Sequence, residues 1–189
     1  MNTICVGFFL FTVYWSLNLP QSTTQHRTAA RDRRARCAVL TISDTRTPET
    51  DKGGKLIAES LGAAGHTVAD RRIVPDEPDQ IRAALDAWLS SDPAFDAVLT
   101  TGGTGISSRD TTVEVAKALL DKELEGFGEL FRMLSYEQVG AAAMLSRAVG
   151  GLAGETLLFC LPGSTNAVEL AMTKLIVPEL PHLVWERGR

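Results

Sequence analysis

Short apolar runs alternate along the chain with stretches whose apolar residues recur at helical spacing. Cys37 to Ser43 (CAVLTIS), 96–101 (DAVLTT) and 156–161 (TLLFCL) are nearly continuous and rich in β-branched residues, the pattern of strands buried on both faces. Thr67 to Val74 carries polar interruptions and reads as a strand nearer an edge. Residues 147–152 read as a further strand, joined to 156–161 by a hairpin at Ala153-Gly154-Glu155. Between them, 52–64 places Ile57, Leu61 and Ala64 on one helical face and stops at Gly65. Ile81, Ala84, Leu85 and Trp88 mark a helix after the break Pro75-Asp76-Glu77-Pro78. Helices are also predicted over 111–121, with Val115 and Leu119 inward, over 127–139, and from Ser164 to about Leu175. Pro178 and Pro181 punctuate a short C-terminal helix. Strand and helix in alternation predict one α/β domain, a three-layer α/β/α stack with a mostly parallel sheet. Ligands of such sheets bind beyond the carboxyl ends of the strands, which gathers the loops after Ser43, Val74, Thr101 and Leu161 at one edge.

Composition narrows the function. A length of 189 residues, 44% hydrophobic and 22% charged, is that of a globular domain with its own core. The net charge of −4 argues against a nucleic-acid partner read through a basic face, but leaves room for a small phosphorylated ligand. Cys5, Cys37 and Cys160 follow no metal spacing and read as reduced thiols of a cytoplasmic protein. His26, His66 and His182 are scattered, so no transition-metal site of protein ligands is expected. The first 35 residues differ from the rest. An apolar run from Ile4 to Leu19 is shorter than the roughly 20 residues of a membrane-spanning helix, and an arginine-rich stretch follows it. Residues 1–35 are read as an extension, disordered or a mis-assigned start, with a membrane anchor or cleaved signal as the alternative. The folded domain is read as 36–189, and removing 1–34 is expected to leave folding and ligand binding unchanged.

The candidate chemistry lies in the loops. Thr100-Thr101-Gly102-Gly103-Thr104-Gly105 follows a buried strand without the ending of a Walker A loop or the spacing of a dinucleotide fingerprint. It is either a tight strand-to-helix turn or a cradle where phosphate meets backbone N–H groups. Asp110 reads as a helix cap and Asp76 as a turn residue. If the sheet is as drawn, though, both stand at the end of the glycine loop and suit a Mg²⁺ ion sharing its shell with substrate phosphates. Asp44 is a weaker third carboxylate. Pro162-Gly163-Ser164 opens a helix whose N-terminus favours an anion. Arg109 and Lys52 are cations that could meet phosphate, or simply solvated.

The order of these motifs is more specific than any one of them. Val39 to Asp44, Val74-Pro75-Asp76-Glu77, Thr100 to Gly105 with Arg109-Asp110, Glu125-Gly126-Phe127-Gly128-Glu129, Leu145-Ser146-Arg147 and Leu161-Pro162-Gly163-Ser164 resemble the MoaB/MogA family of molybdenum cofactor proteins over residues 36–186. The resemblance implies the molybdopterin-binding fold, a trimer or hexamer, and contacts with other proteins of that pathway. It implies transfer of an adenylyl group from ATP to molybdopterin with Mg²⁺, releasing pyrophosphate. Asp76 and Asp110 match the family's catalytic, metal-binding pair. Ser43, Asp44, Thr101, Gly102, Gly103, Thr104, Gly105, Gly163 and Ser164 fall in its substrate-binding loops. The stretch Phe127 to Ser135 looks more like the MoaB branch. A non-catalytic pterin-binding or carrier protein is the alternative, and the related domain of longer molybdate-insertion or competence-damage proteins is a third.

Overall fold

The computed structural model describes residues 21–188. The chain runs α1 (Gln21–Ala30), β1 (Arg36–Ile42), α2 (Lys52–Ala63), β2 (Thr67–Val74), α3 (Pro78–Leu89), β3 (Ala97–Thr101), α4 (Thr112–Lys117), β4 (Lys122–Glu123) and α5 (Glu125–Val139). A 3₁₀ segment (Gly140–Leu145), the strands β5 (Val149–Ala153) and β6 (Thr156–Leu161), α6 (Thr165–Ala171), a π turn (Met172–Ile176) and α7 (Val177–Glu186) complete it.

The six strands form one sheet in the order β2-β1-β3-β6-β5-β4. β2, β1, β3 and β6 are parallel, while β5 is antiparallel to β6 and β4 to β5. β1, β3 and β6 are buried along almost their whole length, as their unbroken apolar runs require. β2 alternates exposed and half-buried positions and is an edge. On one face α2, α5, α6 and α7 cover the sheet through Ile57, Leu61, Phe131, Val168, Met172 and Leu180. On the other, α3 and α4 bring Ile81, Leu85, Trp88, Val113 and Ala116 against Leu40, Val98 and Leu158. This is the three-layer α/β/α stack. β1 and β3 are neighbours whose outgoing chains turn to opposite faces, so a crevice opens between their carboxyl ends.

Several local features differ from the expectations or go beyond them. The helix predicted over 111–121 is only Thr112–Lys117, and it buries Thr112, Val113 and Ala116, leaving Val115 and Leu119 partly buried. The chain must leave it early because Asp121 and Leu124 donate backbone N–H groups to Leu152 and Gly150, at the short edge strand β4 that the helical spacing hid. Pro178 and Pro181 do lie in a short C-terminal helix, α7, but nothing in the sequence signalled that it is joined to the helix before it. α6 runs through the π turn into α7, and the Val177 N–H reaches Met172 O, so the widened turn leads the helix into Pro178. The polar, basic stretch expected to be disordered holds helix α1, which packs on α7. The apolar run 4–19 lies outside the described residues. Among the described residues no helix is long and apolar enough to cross a membrane.

Candidate functional site

The loops after β1, β2, β3 and β6 converge at one end of the sheet. Gly102 has φ +101, and a Cβ there would strike the Ile42 carbonyl at the end of β1. Its N–H donates to Leu161 O at 3.2 Å. Gly163 passes so close that a Cβ on it would lie 3.2 Å from Gly102 Cα. Gly103 has φ +61, and its missing side chain leaves room for Thr112 Oγ1 and for Asp76 Oδ1, the latter 2.9 Å from the Cβ position. The glycines therefore serve first to let three chain segments and a carboxylate meet. A substitution at Gly103 strains the protein's own packing before it touches any ligand, so the loop is a structural turn as well as a candidate cradle.

Asp76 is the most unusual polar residue of this end. Its Oδ1 is buried with no hydrogen-bond partner in the protein. Burial first, then the nearby charges of Asp110 and Asp44, push its carboxyl above the ordinary carboxylate range, with only Arg109 opposing. Arg109 lies 2.8 Å from Asp44 and 3.7 Å from Glu77, and Asp44 also accepts the Asp76 N–H at 3.2 Å. Asp110 is not the helix cap that its position suggested. Thr111 holds that position, and Asp110 Oδ2 instead accepts the Ser107 N–H at 3.0 Å, closing the turn between them. Its carboxylate stands 2.7 Å from where a Gly105 Cβ would be. Asp76 and Asp110 offer oxygen donors beside the glycine loop, one of them unpartnered, which is the donor chemistry that Mg²⁺ takes. Thr112 Oγ1, beside Gly103, is likewise buried and unpartnered.

On the other side of Gly102 lies a cleft of about 230 Å³ lined by Ser43, Arg46, Lys52, Thr101, Gly102 and Gly163, among others. Thr101 is buried and donates to Pro162 O at 2.9 Å, tying the β3 and β6 loops together. Thr104 is buried. Ser43 Oγ accepts the N–H groups of Thr45 and Arg46, and Ser164 Oγ caps α6 at Ala167, so both hydroxyls already serve local turns. Lys52 is exposed at the cleft. Asp76 and Asp110 do not line this cleft; they flank the glycine loop across from it.

The wall of the cleft contains a charge that the sequence reading passed over. Asp51, 3% exposed, caps α2 by accepting the Gly54 N–H at 2.9 Å. It also accepts hydrogen bonds from Thr41 Oγ1 at 2.8 Å and Arg71 at 2.7 Å. Burial alone would raise its carboxyl; the bonds from Arg71, Gly54 and Thr41 outweigh that and hold it below the ordinary range. The signal was an aspartate directly ahead of a helical pattern. Its partners, on β1 and β2, had no sequence signal.

The sequence profile described as "Probable molybdopterin binding domain" matches residues 38–182. A Molybdenum cofactor biosynthesis protein B from Bacillus cereus is 53% identical over 169 residues, covering 89% of this chain and 99% of its own. The protein of that name from Bacillus subtilis is 52% identical over 166 residues, covering 87% and 96%. Among solved structures, the tungsten cofactor synthesizing protein MoaB from Pyrococcus furiosus superposes with a TM-score of 0.75 at 38% identity, covering 83% of this chain and 99% of that one.

Proposed function

The chain belongs to the MoaB/MogA family of molybdenum cofactor biosynthesis proteins, and on that premise we propose that it binds molybdopterin and adenylylates it with ATP. A terminal phosphate oxygen of molybdopterin, anionic at neutral pH, attacks the α-phosphorus of ATP. The bond to the bridging oxygen breaks, and pyrophosphate leaves with its electron pair. No strong general base is needed. The site has to hold two polyanions in line and compensate the charge that grows on the leaving group.

The observation that carries this reading is the buried, unpartnered Asp76 Oδ1 at the glycine loop, with Asp110 beside the same loop. Asp76 and Asp110 would hold Mg²⁺, which supplies positive charge to the polyphosphate. The N–H groups of Gly103 to Gly105, Lys52 and Arg46 would orient the phosphates, while the Gly102 N–H bond to Leu161 and the Thr101 bond to Pro162 keep the loop fixed. Gly163 and the α6 N-terminus, capped by Ser164, border the same cleft. Exposed Leu130, Met133, Tyr136, Val139, Met144 and Leu145 gather on α5 and the 3₁₀ segment, an apolar surface that supports assembly as a trimer or hexamer. The buried thiols of Cys37 and Cys160, both pushed by burial up to about 12, act as packing groups and accord with a cytoplasmic protein.

The test is to incubate the purified chain with molybdopterin, ATP and Mg²⁺. Pyrophosphate and adenylyl-molybdopterin in equal amounts are expected. Tight molybdopterin binding with no ATP-dependent pyrophosphate would replace the enzyme by a carrier.

A further inference from the structure

The scattered histidines do not stay scattered. His26 of α1 and His182 and Glu186 of α7 each bring a ligand atom to within 4.8 Å of the others. His26 Nδ1 is 3.2 Å from Glu186 Oε1, and His182 Nε2 is 4.0 Å from that same oxygen. His182 Nε2 is buried and has no hydrogen-bond partner in the protein. The opposite ring nitrogen, Nδ1, lies 3.1 Å from Glu179 Oε2. In the tautomer that donates from Nδ1 to Glu179, the Nε2 lone pair faces His26 and Glu186. A carboxylate behind an imidazole is how proteins orient a metal-binding histidine. Glu179 is itself held by Arg27, and the Trp185 ring stands 5.0 Å from the His26 ring and 6.3 Å from that of His182, shielding the group on one side.

We propose that His26, His182 and Glu186 bind one zinc-class divalent transition ion per chain and so clip α1 onto α7. Two imidazole nitrogens and one carboxylate oxygen suit Zn²⁺ or a neighbour in its series, with the fourth position left to water. Bonds of about 2.0–2.1 Å require the donors to draw closer; rotation of exposed or half-buried side chains is enough. His182 and Glu186 are one helical turn apart and face the same way, so only His26 must come from elsewhere. The site is independent of the proposed adenylyl transfer. Arg187, next to Glu186, hydrogen-bonds Asp96 at the entry to β3, whereas the glycine loop stands at the exit of that strand. Its donors include nitrogen, which selects against Mg²⁺.

The experiment uses the full, tag-free chain stripped of metal by chelation. Titration with Zn²⁺ should give one ion per chain and a rise in melting temperature. Co²⁺ should give a visible absorption band from imidazole ligation. His26→Gln and His182→Gln should each abolish both effects, with far-UV circular dichroism reporting that the fold is kept. Glu179→Gln, which touches no ion, should weaken binding about 10–100-fold. A chain lacking residues 1–30 should lose the response, while Asp76→Asn should retain it. Absence of binding at about 100 μM Zn²⁺, or undiminished stoichiometry in the His26→Gln/His182→Gln double variant, overturns the proposal.

Discussion

Asp76 and Asp110 differ in what a neutral replacement removes. Asparagine keeps the shape of each residue, and at position 110 it can still accept the Ser107 N–H through its amide oxygen. Asp76→Asn removes a charge already disfavoured by burial and by three neighbouring carboxylates, so melting temperature should hold or rise slightly. Both variants are expected to lose pyrophosphate release while still binding molybdopterin; turnover near that of the parent protein in both would remove the aspartates from the reaction. His66 makes a second prediction at this scale. It is buried, its Nδ1 accepts the Ala35 N–H at 3.1 Å, and burial, aided by Arg34, holds its pKa below the ordinary value near 6.5. The folded state therefore binds the proton more weakly than the unfolded chain does. The stabilisation is complete above about pH 6.5 and is lost as pH falls from there through the lowered native value. Melting temperature should thus drop between about pH 7 and pH 5, and His66→Asn, which can still accept from Ala35, should flatten that slope. The depressed Asp51 carboxyl acts elsewhere: its contribution is present above its ordinary value of 3.8 and is lost only in stronger acid. Asp51→Ala, which strips the α2 cap and leaves Arg71 and Thr41 without their acceptor, should cost about 3 kcal/mol in denaturant unfolding.

At the scale of elements, α1 alters what truncation should do. The sequence predicts that residues 1–34 can be removed without effect. The structure instead joins α1 to α7 through the ion pair of Arg27 with Glu179 and through His26 with Glu186, and buries Ala30. Deleting residues 1–30 should lower the melting temperature by roughly 2–6 °C, as expected for loss of a few surface ion pairs and a little apolar contact. Molybdopterin affinity should not change, because α1 lies away from the glycine loop. The elements that were legible carried their information within a few residues. The unbroken apolar runs of β1, β3 and β6 and the apolar faces of α2 and α3 needed no distant partner to be read. The ones missed depend on distant chain. β4 exists because β5 pairs with it, α4 is cut short by the same pairing, and polar α1 is held by residues of α7. The π turn that joins α6 to α7 ahead of Pro178 likewise left no mark in the apolar spacing.

At the scale of the molecule, the candidate site follows from the winding of the sheet. The chain leaves β1 for one face and β3 for the other, so Ser43 and Gly102 border a gap that no helix can fill. That much was legible, because strand order restricts where parallel strands can release their loops. The division of the site was not: the sequence placed carboxylates and cleft together, whereas Gly102 and Gly103 stand as a partition with Asp76 on one side and Lys52 on the other. The contact of α1 with α7 has a further consequence, which concerns time. A ribosome makes Arg27 152 residues before Glu179, its partner. Until the downstream segment emerges, α1 has nothing to dock on, while β1, α2 and β2 can already assemble. Docking of α1 thus waits for α7, and because only residues 31–35 separate α1 from β1 it needs no long loop closure once that surface exists. In refolding experiments, fluorescence from a probe at residue 27 should lag behind the recovery of far-UV ellipticity, and at equilibrium α1 should be the first of the described helices whose amides exchange with solvent.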